Sequence, residues 1–447
     1  MMTMIKQLVY SLAIMASLFL LAFPAKAGQN SPVSNVEATF YELVNIARFH
    51  PLMVAEALSL DQVSLFSGIS EDSPFWDAHK WSLQFNESLA LANSAHAQDM
   101  LSNDYFSLVS PGGQGPEQRA ADAGYLVVSV YQNMTLLSFQ NYLSPEQAAL
   151  QIFKQFFLDE VESFKDGKLS IFDHGLRDIG LSFQKGQKTL GGKSANVYLF
   201  VIQLGISQDT YVEESLARLI NSSRVDHSRA LDDHGIDKIE AARALGGFLL
   251  INLQGGLTPL LFNAPVEDRV WLANQDSPVN SSEVLSIRWA VNVFEDDSEW
   301  DIAQQLFSRL ISREDLSGVK AIFNPQANSA TVNVRRFSEE LGNIAEAELT
   351  LYFLNPSPNM IMGNVFENLS GDQVYSIEYG LENVRLVSRD IAGKVLHTTM
   401  SGPQGSFRVR QFPGSVATLE VWKEEELLFI DNYIPLNRSQ WREVIVR

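Results

Sequence analysis

The chain opens with its longest uncharged apolar stretch, from Leu8 to Phe23, which Pro24 ends. At about 16 residues the run is short of the roughly 20 that a membrane-spanning helix needs. Ala25-Lys26-Ala27 then supplies the small-x-small pattern that signal peptidase reads, and Lys6 is the one charge ahead of the run. The pattern predicts a cleaved signal peptide over residues 1–27, so the chain is expected to be secreted or periplasmic. No later segment is apolar enough to span a membrane.

Beyond this leader, helical periodicity comes first and strand periodicity later. Val36, Phe40, Leu43, Val44 and Ala47, then Val54, Ala57 and Leu58, recur at helical spacing, which predicts helix over residues 36–66. Asn35 is a candidate cap, and Pro51 kinks or restarts the helix. A second helix fits residues 89–102, with Leu89, Ala92, Ala95, His96 and Met100 on one stripe, and a third fits residues 145–163. Strand runs follow at residues 178–184 and 195–204. Helices followed by strands, with long Gly/Pro loops between, predict an α+β domain that ends near Gly205.

The pattern then repeats. Leu43-Val-Asn45-Ile-Ala-Arg48 returns as Leu219-Ile-Asn221-Ser-Ser-Arg224 at an offset of 176, and Leu83-Gln-Phe85-Asn86 returns as Leu260-Leu-Phe262-Asn263 at 177. Ala149-Leu-Gln-Ile-Phe153 pairs with Ala303-Gln-Gln-Leu-Phe307 at 154. The order is kept while the offset shrinks, which predicts a duplicated domain whose second copy lost a loop. From Pro358 onward, short strand runs at residues 360–366, 384–388, 394–399, 406–410, 417–422 and 427–433 alternate with turn residues such as Gly371-Asp372, Gly402-Pro403 and Pro413-Gly414. That spacing fits a small β-sandwich.

Charge narrows the function. The chain has 33 Lys+Arg and 53 Asp+Glu. The predicted leader takes away Lys6 and Lys26 and no acid, leaving 31 against 53 and a net charge near −22. A surface this acidic repels phosphate backbones and anionic head groups, so nucleic acid is a poor partner. With no cysteine, disulfides, thiolate zinc sites, cysteine nucleophiles and lipid attachment through an N-terminal cysteine are all excluded.

The first copy resembles the CAP family, the extracellular domain shared by cysteine-rich secretory proteins, antigen 5 and pathogenesis-related proteins. Leu43–Arg48 resembles its opening helix, and Leu83–Asn86 with Ala90 and His96-Ala-Gln-Asp99-Met100 resembles its second. Tyr105-Phe106-Ser107, Ser110-Pro111-Gly112 and Arg119-Ala-Ala-Asp-Ala-Gly124-Tyr125 resemble its central signature, and Gln132-Asn133-Met134 stands where the family has Gly-Glu-Asn-Ile. Ile171-Phe172 and Asp178-Ile179-Gly180-Leu181 resemble the entry to its closing strand. The last part is similar to the prealbumin-like or carboxypeptidase-regulatory β-sandwich, on Ile361–Phe366, Leu381–Val387, Gly405-Ser-Phe407 and Phe412-Pro413-Gly414. The resemblances imply an α+β chain: tandem CAP-like α-β-α sandwich domains at residues 36–206 and 211–354, then an all-β sandwich at 358–447.

The departures from the family point away from its polar cleft. A histidine is expected directly after Phe-Ser, where this chain has Leu108; a glutamate is expected at Gln132; and the second histidine falls near Gly167. One acid matches, Glu160 in Phe157-Leu-Asp-Glu160. A divalent metal needs converging imidazole and carboxylate ligands, so no metal and no other cofactor are expected. Leu108, Gln132, Asn133, Glu160 and His174 are the candidate cleft residues. Two readings of that cleft stay open: an apolar cleft for a lipid- or sterol-like ligand, and a cleft filled with side chains that leaves a cell-surface protein or glycan as partner. The expected function is an exported, non-enzymatic binding protein; the alternative is an extracellular, protease-like hydrolase using Glu160 and His174.

Other candidates have bland readings. His96 lies on an apolar stripe and reads as a satisfied core histidine, while His174 in Asp173-His174-Gly175 reads as a surface turn. His227, Asp232, Asp233 and His234 have no regular ligand spacing. Phe294–Asp301 is an acidic run that suits a helix start, where negative charge meets the positive end of the dipole. No Gly-x-Ser-x-Gly elbow is present.

Overall fold

A computed structural model describes residues 35–71, 73–77, 80–139, 143–225, 257–262, 280–294, 296–313, 317–324, 326–339, 342–355, 360–368, 379–410, 416–435 and 439–446. The leader, the His227–His234 group, much of the shortened stretch 266–288, and the turns Gly371-Asp372 and Pro413-Gly414 lie outside the described residues. The chain divides into two compact units, residues 1–71 with 82–207, and residues 72–81 with 208–447.

In the first unit, helix α1 (Asn35–Phe49) is followed by α2 (Pro51–Ala57), which restarts with Pro51 in its first turn, where the missing N–H costs nothing. After the short α3 (Gln62–Leu65) and β1 (Gln84–Phe85), Asn86 accepts from Leu89 N at 3.1 Å and starts α4 (Glu87–Ser102). Then come α5 (Pro116–Asp122), β2 (Val127–Phe139), α6 (Pro145–Lys165), β3 (Asp178–Leu190) and β4 (Lys193–Ser207). Ser144 and Gln147 form a capping box at the start of α6.

The strands form one sheet in the order β1-β3-β4-β2, parallel between β1 and β3 and antiparallel elsewhere. Both faces are covered. Phe40 of α1, Phe153 and Phe156 of α6 and Phe200 of β4 interlock on one side, with Phe40 and Phe200 centroids 4.0 Å apart. On the other, Ala97 and Met100 of α4 pack on Leu199 and Val201 of β4. Gly180 permits the close approach of α4 to β3: a Cβ there would sit 2.4 Å from Leu89.

The second unit runs α7 (Gln208–Val225), β5 (Leu261–Phe262), β6 (Asn280–Val293), α8 (Glu299–Ile311), α9 (Ser317–Ile322), β7 (Ser329–Glu339) and β8 (Gly342–Asn355). The acidic run does open a helix: Ser298 and Asp301 form the capping box of α8. The sheet order is β5-β7-β8-β6, again parallel only between its first two strands.

The hydrogen bonds that fix helix to sheet have the same form in both units. Glu37 accepts from Phe183 N at 3.0 Å, and Glu213 from Val334 N at 2.8 Å. Arg48 donates to the carbonyls of Ile171, Asp173 and Leu176, and Arg224 to those of Ile322, Asn324 and Ala327. The outer sheet faces differ. Where the first sheet has Met134, Leu136 and Val201 against α4, the second carries Arg288, Arg335, Glu346 and Glu348, with Arg288–Glu348 at 2.9 Å and Arg335–Glu346 at 2.8 Å.

The second unit continues with β9 (Met360–Glu367), β10 (Arg385–Arg389), β11 (Val395–Met400), β12 (Ser406–Arg410), β13 (Val416–Lys423), β14 (Glu426–Pro435) and β15 (Gln440–Val446). They make two sheets, β11-β10-β13-β14 and β12-β9-β15. One apolar cluster, with Ile361 and Val365 of β9 against Leu386 of β10 and Leu419 and Val421 of β13, is shared by both. The periodicity did not predict β15, whose strand Gln440–Val446 pairs in parallel with β9. Residues 72–81 belong to this unit by contact although they precede β1 in sequence. Asp77, fully buried, accepts from Thr399 Oγ1 at 2.6 Å and pairs with His397 Nε2 at 2.9 Å. Lys80, also buried, donates to the carbonyls of Phe75 and Asp77 at 2.8 and 2.6 Å.

Candidate functional site

Strand geometry decides the site. Successive side chains of a strand point to opposite faces, so Gln132 and Asn133, neighbours on β2, cannot face the same cleft. The candidate residues fall into two polar clusters on opposite sides of the first sheet.

On the side of α5, Gln132 lies across from Gln203 of β4, its register partner. Gln132 Oε1 accepts from Arg119 Nη2 at 2.9 Å and from Gln203 Nε2 at 3.1 Å. Arg119, on α5, also donates to Leu108 O at 2.8 Å and Gln114 O at 2.6 Å. All three side chains are buried. The Leu108 side chain does not line this cluster: it is 45 % exposed, beside the exposed Phe106 and Val109. Inward, the position contributes a carbonyl to Arg119. The loop is pinned again by His96, whose Nε2 meets Ser107 O at 3.0 Å, and by Tyr105, which donates its hydroxyl to Asp99. His96 is buried and satisfied, as its place on an apolar stripe predicts. Burial first, then the Arg119 charge, lowers its pKa, so the imidazole is neutral at pH 7 and Nε2 is the donor.

On the side of α6, Glu160 is fully buried. Its carboxyl accepts from Asn133 Nδ2 at 3.1 Å, Tyr131 OH at 3.2 Å and Ile171 N at 2.8 Å. Burial pushes its pKa up to about 7, against the three donors that pull it down. Burial and the nearby carboxyl raise the Tyr131 phenol as well. The cluster ties α6 to β2 and to the loop before β3.

His174 is buried, which corrects its reading as a surface turn. Its carbonyl accepts from Arg177 Nη1 at 2.5 Å, so the loop is folded inward onto that guanidinium.

These residues do not fit a divalent metal. The Gln132 oxygen is taken by two donors, and one of them is a cation at 2.9 Å. Glu160 lies on the far face of the sheet, and Leu108 gives its carbonyl to Arg119. Among the described residues no group of three or more His, Asp or Glu is placed to hold a metal ion.

Arg119, Gln203 and Tyr131 complete the clusters and were not among the site residues read from sequence. Gln203 had a signal: it is the lone polar position in Val201-Ile202-Gln203-Leu204, and a buried polar group needs a partner. Arg119 was visible only as part of a signature, because an arginine on a short helix carries no mark of what it will bond.

No described helix is long and apolar enough to cross a membrane. No protein-family model matches the sequence, and no curated protein matches it. Among solved structures the chain is similar to an outer surface protein of Borrelia burgdorferi, with 11 % identity and a TM-score of 0.22 over 40 % of this chain and 99 % of that one. It is also similar to an extracellular protein containing an SCP domain from Bacillus anthracis str. Ames, with 13 % identity and a TM-score of 0.21 over 39 % of this chain and 44 % of that one.

Proposed function

We propose that this chain is an exported, non-catalytic interaction protein. In this reading two CAP-like bodies descended from one duplicated unit are followed by a β-sandwich module, and the old cleft has become structural. The observation that carries it is the Arg119–Gln132–Gln203 network, in which a guanidinium and a second amide both donate to Gln132 Oε1, the oxygen at the position where the resemblance places a carboxylate. Duplication is supported by the shared strand order and by the matching roles of Glu37 and Glu213 and of Arg48 and Arg224. In the second body the Gln132–Gln203 pair is matched by Ser286 and Thr350, bonded at 3.1 Å, which keep no acid and no imidazole.

The binding face is the loop Phe106–Val109. Phe106, Leu108 and Val109 are exposed, while the Ser107 and Leu108 carbonyls are held from below. Apolar side chains presented on a pinned loop lose little entropy on contact, which suits a protein partner. A hydrolase reading has less support, since Glu160 is fully buried and its two oxygens already accept from three protein donors.

Native mass spectrometry of the purified protein, with zinc and magnesium titrations, tests the reading. The expected result is the bare chain mass and no heat of metal binding. A lipid or sterol retained near one per chain, or a stoichiometric metal, overturns it.

A further inference from the structure

A strand at the edge of a sheet presents unpaired N–H and C=O groups, and folded proteins blunt such edges by shortness, charge, proline or a covering segment. Most edge strands of this chain are blunted in one of those ways. β1 and β5 are two residues long. β6 carries Glu283 and Arg288, β12 carries Arg408 and Arg410, and β15 carries Arg442 and Glu443. β14 has Glu426 and Asp431 and ends at Pro435. β11 is engaged by residues 72–81, since Asp77 holds His397 and Thr399.

β2 is the exception. It is the last strand of the first sheet, 13 residues long from Val127 to Phe139, and it holds no charged residue, no histidine and no proline. Its bulge lies at one end, between Val127 and Ser129, and from Ser129 to Phe139 the register with β4 runs unbroken. Among the described residues no backbone hydrogen bond reaches β2 except from β4. Side chains on both faces hold the strand in place: Gln132 accepts from Arg119 on one side, and Tyr131 and Asn133 donate to Glu160 on the other. Val130, Met134, Leu136 and Leu137 are half-buried. A strand already held in extended form along an open apolar edge pays little ordering entropy when another strand joins it.

Charge names the occupant. The chain carries a net charge of −20, so two copies repel wherever acidic surfaces face each other. Along β2 there is nothing to repel. Antiparallel pairing about a two-fold axis is self-complementary, and a strand that meets itself in this way sets neutral residues against neutral residues over the whole run. β6 shows the contrast. Ser286 matches Gln132 in the second sheet, so Arg288 stands where β2 has Met134, and a two-fold placed there would set Arg288 against itself. We propose that two copies of this chain associate through β2, antiparallel, so that their first sheets become one continuous sheet. With the two-fold at Met134, the middle of the unbroken run, Val130 of one copy faces Ser138 of the other. The proposal does not rest on the loop Phe106–Val109.

Sedimentation velocity of the full chain at rising concentration is the first test, with hydrogen exchange read at the same concentrations. A dimer is expected, and the amides of residues 129–139 should exchange more slowly as it forms. A chain still monomeric at about 100 μM, or a dimer whose 129–139 amides exchange at the monomer rate, overturns the proposal. S138E changes an exposed position, sets a charge opposite Val130 and should weaken the dimer about tenfold or more, while S138T should leave it intact. An S138E dimer as tight as the wild type overturns the strand contact. So does a dimer lost in F106E and kept in S138E, which would place the contact at the loop. Should S138E fail to fold, the exchange of the unaltered chain decides.

Discussion

Asn45 and Asn221 hold their chains in the same way: each bonds both the N–H and the carbonyl of one leucine, Leu83 at 2.9 and 3.2 Å, and Leu260 at 2.7 and 3.0 Å. One turn later, Arg48 and Arg224 gather the carbonyls of a distant loop. Burial alone pulls the Arg224 guanidinium down to about 9, so it stays charged at neutral pH. R224A leaves several buried carbonyls unpaired and should cost about 3 kcal/mol or more. All seven tryptophans lie in the second unit's residues. R224A should therefore lower the urea midpoint read by tryptophan fluorescence, and R48A should leave that midpoint in place while moving the far-ultraviolet transition. Equal effects on both probes would deny the units their separate cores.

The Glu160 carboxyl titrates near 7 in the fold, against about 4.5 when exposed. A raised carboxyl pKa means the folded chain holds its proton longer. The stabilisation is full below about 4.5 and is lost as the pH rises through 7, a fall of roughly 3 kcal/mol for this group. E160Q should remove that slope and make the first unit more stable than the wild type at pH 8. Circular dichroism melts at pH 5 and pH 8 measure it, and an unchanged difference between the two would contradict the assignment.

Asp77 is a buried carboxylate held by His397 and Thr399. D77A leaves both partners without their acceptor and should destabilise the second unit by about 3 kcal/mol. D77N, which keeps an oxygen for Thr399, should cost less. The tryptophan transition separates the two variants, and a D77A midpoint equal to the wild type would mean that residues 72–81 contribute nothing to this unit.

L108E and F106E replace exposed apolar side chains and should change stability by no more than about 0.5 kcal/mol. Once a partner protein is identified, they should cut its affinity tenfold or more. Unchanged affinity in both variants would move the binding face elsewhere.

Q132E places at that position the acid that the resemblance to the CAP family leads one to expect there. Arg119, 2.9 Å from the side-chain oxygen, should claim the new carboxylate as an ion pair. The variant should fold and still show no zinc binding by calorimetry. Zinc uptake by Q132E would show that Arg119 is not the obstacle.

Much of this fold is written along the chain. Asn86, Ser144 and Ser298 cap helices where the local pattern allows it, and Pro51 restarts one, because capping and proline chemistry act within a few residues. The repeats at Asn45 and Asn221 are legible because a motif that serves the same distant backbone must keep its own spacing. The site was less legible. Gln132 and Asn133 looked like one constellation, and the pleat sent them to opposite faces.

The sequence by itself determined the helices of the first unit, the strand runs of the last part, the absence of thiol chemistry and the acidic charge, since each depends on residue type or on neighbours a few positions away. Only the tertiary structure decided that Arg119 closes over Gln132, that Glu160 sits behind the sheet, and that Asp77 leaves its sequence neighbours for His397. Those pairings join positions whose separation along the chain carries no period. What selects them is the need of each buried charge or amide for a partner, and which partner is within reach is known only once the chain has folded.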